Sequence, residues 1–188
     1  MDKNIYRLKV TLHWSEPQIW REMLMKKDST FKELHQVVQV VMEWEDSHLH
    51  EFPINNHKYI GVKPKNSFGF SNKTYIKESN AELQDYLKKK GDSIEYIYDF
   101  GDSWRHIIEL KEIKEMEEDM KYPLCIDGEN AAPIEDVGGI PGYYNMIEAL
   151  NDPEHPEHEM YTEWLGENFD PNQFDREKVN QILKFLQK

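Results

Sequence analysis

The chain of 188 residues carries 36 acidic against 23 basic side chains, a formal net charge of −13, and 38% of its residues are hydrophobic. This length and apolar content fit one folded domain and exclude general disorder, while the negative charge disfavours binding to duplex DNA. No apolar run approaches the ~20 residues of a membrane crossing, the N-terminus lacks the apolar stretch of a signal peptide, and the single cysteine, Cys125, excludes an intrachain disulfide and favours the cytoplasm.

The first predicted elements are two strands and a helix. Apolar residues alternate from Ile5 to Leu12, which predicts a half-buried strand, and Ile19 to Met25 is its expected hairpin partner. Thr30 and Glu33 have the spacing of a capping box, and apolar residues then recur at helical intervals. We therefore expect a helix from Phe31 to Met42.

The middle of the chain is predicted to form two further hairpins separated by a loop and a short helix. In chain order the expected elements are a strand at His48–Ile54, a strand at Tyr59–Val62, an exposed loop at Lys63–Lys77, a short helix capped by Asn80, a strand at Ile94–Phe100 and a strand at Trp104–Leu110. The charged stretch Lys111–Lys121 is expected to be a solvated connection or a frayed helix.

The last third of the chain differs from the rest in composition and hydrophobic pattern. Cys125–Pro141 is rich in glycine, proline and acids, which indicates a long irregular segment of the kind that is often functional. Helices are then expected at Gly142–Leu150, Pro156–Leu165 and Asp175–Gln187, with Asp152-Pro153 as a helix start. A strand-rich part (1–110) followed by an irregular and helical part (122–188) predicts one α+β domain with a mixed, mainly antiparallel sheet, packed helices and a helical C-terminal third.

Two histidines near the third strand are candidate metal ligands. His48 and His50 are two residues apart, so on a strand their side chains share a face and both can bind one divalent metal. The alternative is a pair of polar residues on the open face of the sheet.

Acidic residues occur at two predicted bends. Asp99 and Asp102 flank Gly101, with His106 close by in sequence, and such a group can bind a hard cation or orient a water. The alternative for these aspartates is acceptance of backbone amides at a turn. Glu135 and Asp136 precede a Gly138-Gly139 pair, where they either join a metal site or cap the following helix.

Several of these stretches carry a family resemblance. The matching segments are Phe31–His35, Trp44–Phe52, Tyr96–His106, Cys125–Gly128, Pro133–Gly139, Gly142-Tyr143, Asp152–His155, Trp164–Gly166, Phe169–Pro171 and Phe174-Asp175. With them the chain resembles the plasmid-borne ORF-three-like family first described from a root-inducing plasmid, whose members are also labelled insertion-element passenger or resolvase-like proteins. Two positions depart from that pattern: Ile134 replaces the second proline before Glu-Asp, and Glu43 replaces a glycine before Trp44.

The resemblance implies an α/β roll and a link to mobile elements, but it does not name an activity. Recombinase chemistry is disfavoured, because it requires clustered arginines on a basic body and this chain has four arginines in total.

We hypothesise that the candidate residues converge on one cleft where the hairpin turn meets the glycine-rich segment. The set is His48, His50, Asp99, Asp102, His106, Glu135 and Asp136. Two functions follow. One is a non-enzymatic binding or adaptor module with a protein partner, and the other is a metal-assisted hydrolase with His48 and His50 as ligands and Asp99 or Glu135 as base. The first is favoured, because spacing alone yields no complete catalytic set.

Overall fold

The fold is built on one mixed β-sheet. A computed structural model of the chain describes residues 4–55, 57–62, 73–166 and 169–187. The strands are β1 (Asn4–Leu12), β2 (Trp20–Lys26), β3 (His50–Asn55), β4 (Lys58–Gly61), β5 (Thr74–Ile76), β6 (Ser93–Tyr98), β7 (Trp104–Glu115) and β8 (Leu124–Glu129). The helices are α1 (Phe31–Val41), α2 (Leu83–Tyr86), α3 (Gly139–Asn151), α4 (His158–Leu165) and α5 (Arg176–Leu183), with 3-10 turns at Glu78–Asn80 and Lys184–Leu186.

Neighbouring strands in the described part of the chain are antiparallel with one exception. The order across the sheet is β5-β4-β3-β6-β7-β1-β2-β8, and of these described pairs only β4 and β5 run parallel. The predicted α+β class and mainly antiparallel sheet are therefore confirmed. Across the described ranges, no helix combines the length and apolar character needed to cross a bilayer.

The core is formed by apolar residues that recur at the strand period in β1 and at the helical period in α1. Tyr6 and Leu8 of β1 point to the helix-covered face and are completely buried, while Arg7 between them pairs with Glu22 of β2 at 2.5 Å on the other face. The predicted helix is confirmed as α1, and its Thr30–Glu33 capping box is present. Its apolar face joins the main core cluster, which anchors the segment that follows α1.

A buried arginine connects the elements that lead into the cleft described below. Arg21 of β2 donates through Nε to the carbonyl of Val41 at the end of α1 (2.9 Å) and through Nη1 to that of Glu129 at the end of β8 (2.8 Å). Its guanidinium lies over the ring of Phe174, 3.8 Å from the centroid. These contacts hold the end of α1 and the end of β8 in fixed relation.

Two strand predictions are corrected. Residues 112–115 extend β7, because their backbone pairs with residues 4–7 of β1, so the expected solvated or helical stretch from Lys111 begins as strand. β8 occupies part of the expected irregular segment. It pairs with β2 alone in the described sheet, and an edge strand of this kind tolerates the polar residues Asp127 and Glu129.

Three further boundaries differ from the expectations. Asn80 ends a 3-10 turn, and α2 begins only at Leu83 with no side-chain cap. Asp152 follows α3 and accepts the amide of Glu154 (3.0 Å), while α4 starts at His158. Part of the expected Lys63–Lys77 loop forms β5, and its residues 63–72 lie outside the described residues.

Candidate functional site

A cleft of about 640 Å³ lies between the segment that precedes β3, the segment that follows β8 and the C-terminal helices. Its walls are residues 42–47 after α1, residues 131–136 after β8, and side chains from α4, α5 and the segment between them. Trp44 links two of these walls, because its indole Nε1 donates to the carbonyl of Pro133 (2.8 Å).

The cleft is strongly negative. The described lining carries six carboxylates, from Glu43, Glu45, Glu135, Asp136, Asp170 and Asp175. The same lining has one lysine, Lys178, which pairs with Glu43 at 2.5 Å. Trp164 adds an indole that is 49% exposed. We call this feature the acidic cleft.

His48 lies between two aspartates at the edge of the acidic cleft. Its Nδ1 is 3.7 Å from Asp99 Oδ2, and its Nε2 is 3.2 Å from Asp136 Oδ1. One ligand atom from each of the three residues lies within 4.8 Å of the others. This group, which we call the His48 cluster, can hold a divalent cation and shares Asp136 with the wall of the cleft.

Tyr98 and Glu135 fix the wall next to the His48 cluster. The carboxylate of Glu135 accepts hydrogen bonds from the Tyr98 hydroxyl and from the amide of Glu45 (3.0 Å). The Tyr98 oxygen in turn accepts the amides of Ser47 (2.9 Å) and His48 (3.2 Å). Burial and the bond to Glu135 raise the pKa of Tyr98, so its hydroxyl stays protonated at neutral pH.

The β6–β7 turn contacts the glycine-rich segment, as the cleft hypothesis proposed. Asp102 Oδ2 accepts the amide of Gly138 (3.0 Å), and a Cβ on Gly139 would lie 2.6 Å from the Asp102 carbonyl oxygen. Gly139 also has a φ of +69°, so only glycine fits here without strain. The structure thus groups five predicted residues around this junction, namely His48, Asp99, Asp102, Glu135 and Asp136.

His50 belongs to a different group. β3 begins at His50, so His48 lies in the bend before the strand and the predicted shared strand face does not form. The His50 ring stacks on His35 with centroids 3.5 Å apart, and its Nε2 is 2.7 Å from Glu78 Oε2. His35, Asp46 and His50 form a second group of possible ligands within 4.8 Å, which we call the His35 cluster.

Hydrogen bonds around His35 form a closed ring. Gln39 donates to the Tyr96 oxygen (3.0 Å), Tyr96 lies 2.8 Å from His35 Nδ1, His35 Nε2 lies 2.9 Å from Asp46 Oδ1, and the Asp46 amide donates to Gln39 Oε1 (2.9 Å). Because the carboxylate only accepts, His35 carries its proton on Nε2 and receives one from Tyr96. Burial, and next the neighbouring His50, lower the pKa of His35, which keeps the ring neutral.

His106 is a core residue. Its side chain is fully buried, with its ring 5.3 Å from that of Trp44 and 5.5 Å from that of Tyr96. Burial lowers its pKa to about 3. The structure therefore places His106 on the buried face of β7 and not in the wall of the acidic cleft.

Some contributors to these groups were not predicted. His35, Asp46 and Glu78 come from three separate segments, so no local spacing connects them. Tyr98 falls on the apolar side of an alternating strand pattern, which predicts a core residue. Cys125 is a buried free thiol, and burial raises its pKa to about 11.

Comparison with known proteins places these features in a family. The chain matches, over residues 4–178, the model of a family described as plasmid pRiA4b ORF-3-like protein. An uncharacterized protein y4hQ of Sinorhizobium fredii is 33% identical over 171 residues, which cover 88% of this chain and 83% of that protein. The crystal structure of MM3350 from Methanosarcina mazei Go1, titled a protein of unknown function, has a TM-score of 0.82 and 39% identity, covering 94% of this chain and 97% of that one. The chain therefore belongs to the plasmid pRiA4b ORF-3-like family, as its motifs predicted.

Proposed function

We propose that the protein is a non-enzymatic binding module whose acidic cleft receives a lysine- and arginine-rich segment of a protein partner. The observation that carries this proposal is the charge of the cleft. Among the described residues of the lining, six carboxylates face one lysine, and that lysine is already paired with Glu43. Complementary charge steers association and selects the partner.

The half-exposed indole of Trp164 supports a cationic occupant. Lysine and arginine side chains carry apolar stems, and their charged groups are attracted to the face of an aromatic ring. Trp164 lies in the same lining as Asp170 and Asp175. An arginine entering here gains both an aromatic contact and a carboxylate partner.

The groups expected for hydrolysis are occupied by structural contacts. Both carboxylate oxygens of Glu135 accept hydrogen bonds, which leaves it a poor general base. Asp99 Oδ1 accepts the amide of Gly101 (2.8 Å). The raised pKa of the Cys125 thiol removes it as a nucleophile at neutral pH. These contacts favour binding over catalysis.

The test uses a fluorescently labelled Lys/Arg-rich peptide and calorimetry or anisotropy in the presence of a chelator. The double variant Glu45→Gln/Asp170→Asn removes two exposed carboxylates from the cleft. The matched control, Glu118→Gln/Asp119→Asn, changes the net charge equally at exposed positions outside the cleft lining.

We expect the cleft variant to weaken peptide binding by about tenfold or more, since each charge-assisted contact contributes roughly 1 kcal/mol. The control should change affinity only slightly, and binding should weaken as salt rises. Equal losses in the two variants would assign the binding to net charge alone, and an unchanged affinity in both would refute the proposal.

A metal-assisted hydrolase is the second candidate, and the His48 cluster is the observation that favours it. A bound divalent ion can lower the pKa of a coordinated water and so supply a nucleophile without a protein base. Hydrolysis of p-nitrophenyl phosphate and p-nitrophenyl acetate, with Zn²⁺ or Mn²⁺ and with His48→Ala, tests it. Metal-dependent turnover that His48→Ala abolishes would support this function, and its absence with both probes and both metals would count against it.

We also propose that the protein is cytoplasmic, does not bind duplex DNA and is linked to mobile elements. The net charge of −13 argues against duplex DNA as the partner, because a polyanion is repelled. The cytoplasmic location follows from the single buried cysteine, and the link to mobile elements from the family label.

A further inference from the structure

We infer that His48 Nε2 and Asp136 Oδ1 are two ligands of a divalent transition-metal ion at the edge of the acidic cleft, with Asp99 orienting the imidazole. The inference concerns cation binding only. It depends neither on the cationic partner nor on hydrolysis.

A carboxylate lies on the Nδ1 side of the His48 ring. Asp99 Oδ2 is 3.7 Å from Nδ1, which is longer than a direct hydrogen bond, and an ionised carboxylate offers only acceptors. The other oxygen of Asp99 is held by the Gly101 amide, so the carboxylate cannot turn away freely. In the tautomer with a proton on Nδ1, that proton faces Asp99 and a lone pair is left on Nε2. Metal-bound histidines commonly have a carboxylate on the side of the ring nitrogen that does not bind the metal.

Asp136 lies on the Nε2 side of the His48 ring. His48 Nε2 has almost no solvent-accessible surface and no aligned hydrogen bond within the described residues, although Asp136 Oδ1 is only 3.2 Å away. In this tautomer Nε2 and Oδ1 are both acceptors, and at this distance they repel each other unless a proton or a cation lies between them. A proton shared by the two atoms requires a nearly linear hydrogen bond, and Oδ1 does not lie on the line along which Nε2 would donate.

A metal ion fits the off-axis geometry. Ligands of one ion bind at roughly 2.0–2.2 Å and subtend about 90–110°, so neighbouring ligand atoms are about 3.0–3.5 Å apart. The 3.2 Å between Nε2 and Oδ1 lies in this range. The imidazole is a preferred ligand of Zn²⁺ and the carboxylate is a preferred ligand of Mn²⁺, so these two ions are the ones to test.

The residues around His48 and Asp136 hold the metal site in place and leave it open to solvent. The hydrogen bond from Gly138 to Asp102 fixes the segment that carries Asp136, while the Asp136 side chain is 72% exposed. Further coordination positions are therefore open to water. The carboxylates of the acidic cleft raise the local cation concentration.

The His35 cluster is the competing position, and its geometry is less suitable. His35 Nε2 and Nδ1 both take part in the closed hydrogen-bond ring. The His35 and His50 rings are parallel within 9°, so their in-plane lone pairs do not point toward a common centre between the rings. Binding a metal there would require both rings to move.

The experiment titrates chelator-treated protein with Zn²⁺ and, separately, with Mn²⁺, in the absence of peptide. Calorimetry gives stoichiometry and affinity, and thermal melts give stabilisation. The variants are His48→Gln, Asp136→Asn and Asp99→Asn. Two matched acid-to-amide controls are Asp46→Asn in the His35 cluster and Glu118→Gln at an exposed position away from both clusters.

We expect wild-type protein to bind one ion per chain. Loss of either ligand, in His48→Gln or Asp136→Asn, should lower the affinity at least about tenfold, and loss of the orienting carboxylate in Asp99→Asn by roughly 10–100-fold. Both control variants should stay within about twofold of wild type, because neither contributes a ligand or its orienting partner.

Absence of saturable binding of both ions to wild-type protein would overturn the inference. If Asp46→Asn loses metal binding and His48→Gln keeps it, the metal binds at the His35 cluster, and the inference is wrong. Circular dichroism in chelator checks that each variant is folded. If His48→Gln is unfolded, the exposed Asp136 supplies the deciding variant. Peptide binding is measured in chelator and metal binding without peptide, so failure of one proposal leaves the other intact.

Discussion

His106 couples the stability of the protein to pH. Its imidazole is fully buried, and burial lowers its pKa from 6.5 to about 3 because the charged form loses its hydration. Between these two values the unfolded chain binds a proton that the folded chain does not. Stability is therefore fully present above pH 6.5 and falls as the pH decreases toward about 3, by about 1.4 kcal/mol per pH unit.

Replacing His106 with leucine should remove this proton linkage. Between about pH 7 and pH 5, the free energy of unfolding of the wild type should fall by about 2 kcal/mol more than that of His106→Leu. Urea denaturation at the two pH values measures the difference. The control is His13→Gln, at an exposed histidine, which should behave as wild type. Identical pH dependence in His106→Leu and wild type would contradict the buried neutral state.

At the scale of single elements, the capping box sets the start of α1 and so the placement of the segment that leads to His48. The Thr30 hydroxyl accepts the Glu33 amide (3.2 Å), and the Glu33 carboxylate accepts the Thr30 amide (2.9 Å). Thr30→Ala should lower the free energy of unfolding by about 1 kcal/mol, within a range of roughly 0.5–2 kcal/mol. Chemical denaturation measures this loss. Thr30→Ser keeps the hydroxyl and should restore most of the stability, whereas an equal loss in both variants would assign the effect to packing.

Elements with a strong local signal could be predicted from the sequence. The capping box and the alternation in β1 and in the β6–β7 hairpin follow from contacts within a few residues, and the structure confirms them. The end of β7 and the strand β8 could not be predicted in the same way. Their charged sequences become strands only because β1 and β2 offer free backbone edges for pairing.

The candidate site also has some features that local sequence predicts and others that depend on tertiary packing. The bends at Asp99 and Asp102 and the glycine-rich segment before α3 are encoded by neighbouring residues in the sequence, and the Gly138 amide donates to Asp102. The separation of His48 from His50 depends on where β3 begins, which the pairing with Tyr98 of β6 determines. His35 reaches His50 through the packing of α1 on the sheet, and no sequence spacing encodes that contact.

At the scale of the whole molecule, most described ion pairs have at least one solvent-exposed partner, and the acids are in excess. Pairs such as Lys178–Glu43 and Arg105–Glu95 are solvent-accessible, and exposed pairs contribute about 0–1 kcal/mol each. The 36 acids exceed the 23 bases by 13. Salt screens attraction and repulsion alike. The excess of acids over bases therefore decides whether added salt raises or lowers the stability of the protein.

We therefore expect monovalent salt to stabilise the protein. Raising NaCl from about 10 mM to about 200 mM, in chelator, should increase the melting temperature by roughly 2–4 °C, which corresponds to about 1 kcal/mol for a chain of this size. Because six carboxylates are concentrated in the acidic cleft, Glu45→Gln/Asp170→Asn should be more stable than wild type at low salt and should gain less from added salt. Differential scanning calorimetry at several salt concentrations measures both effects. A melting temperature that falls with salt would mean that the exposed ion pairs outweigh the acidic excess, and the cleft could then not be treated as a centre of unbalanced negative charge.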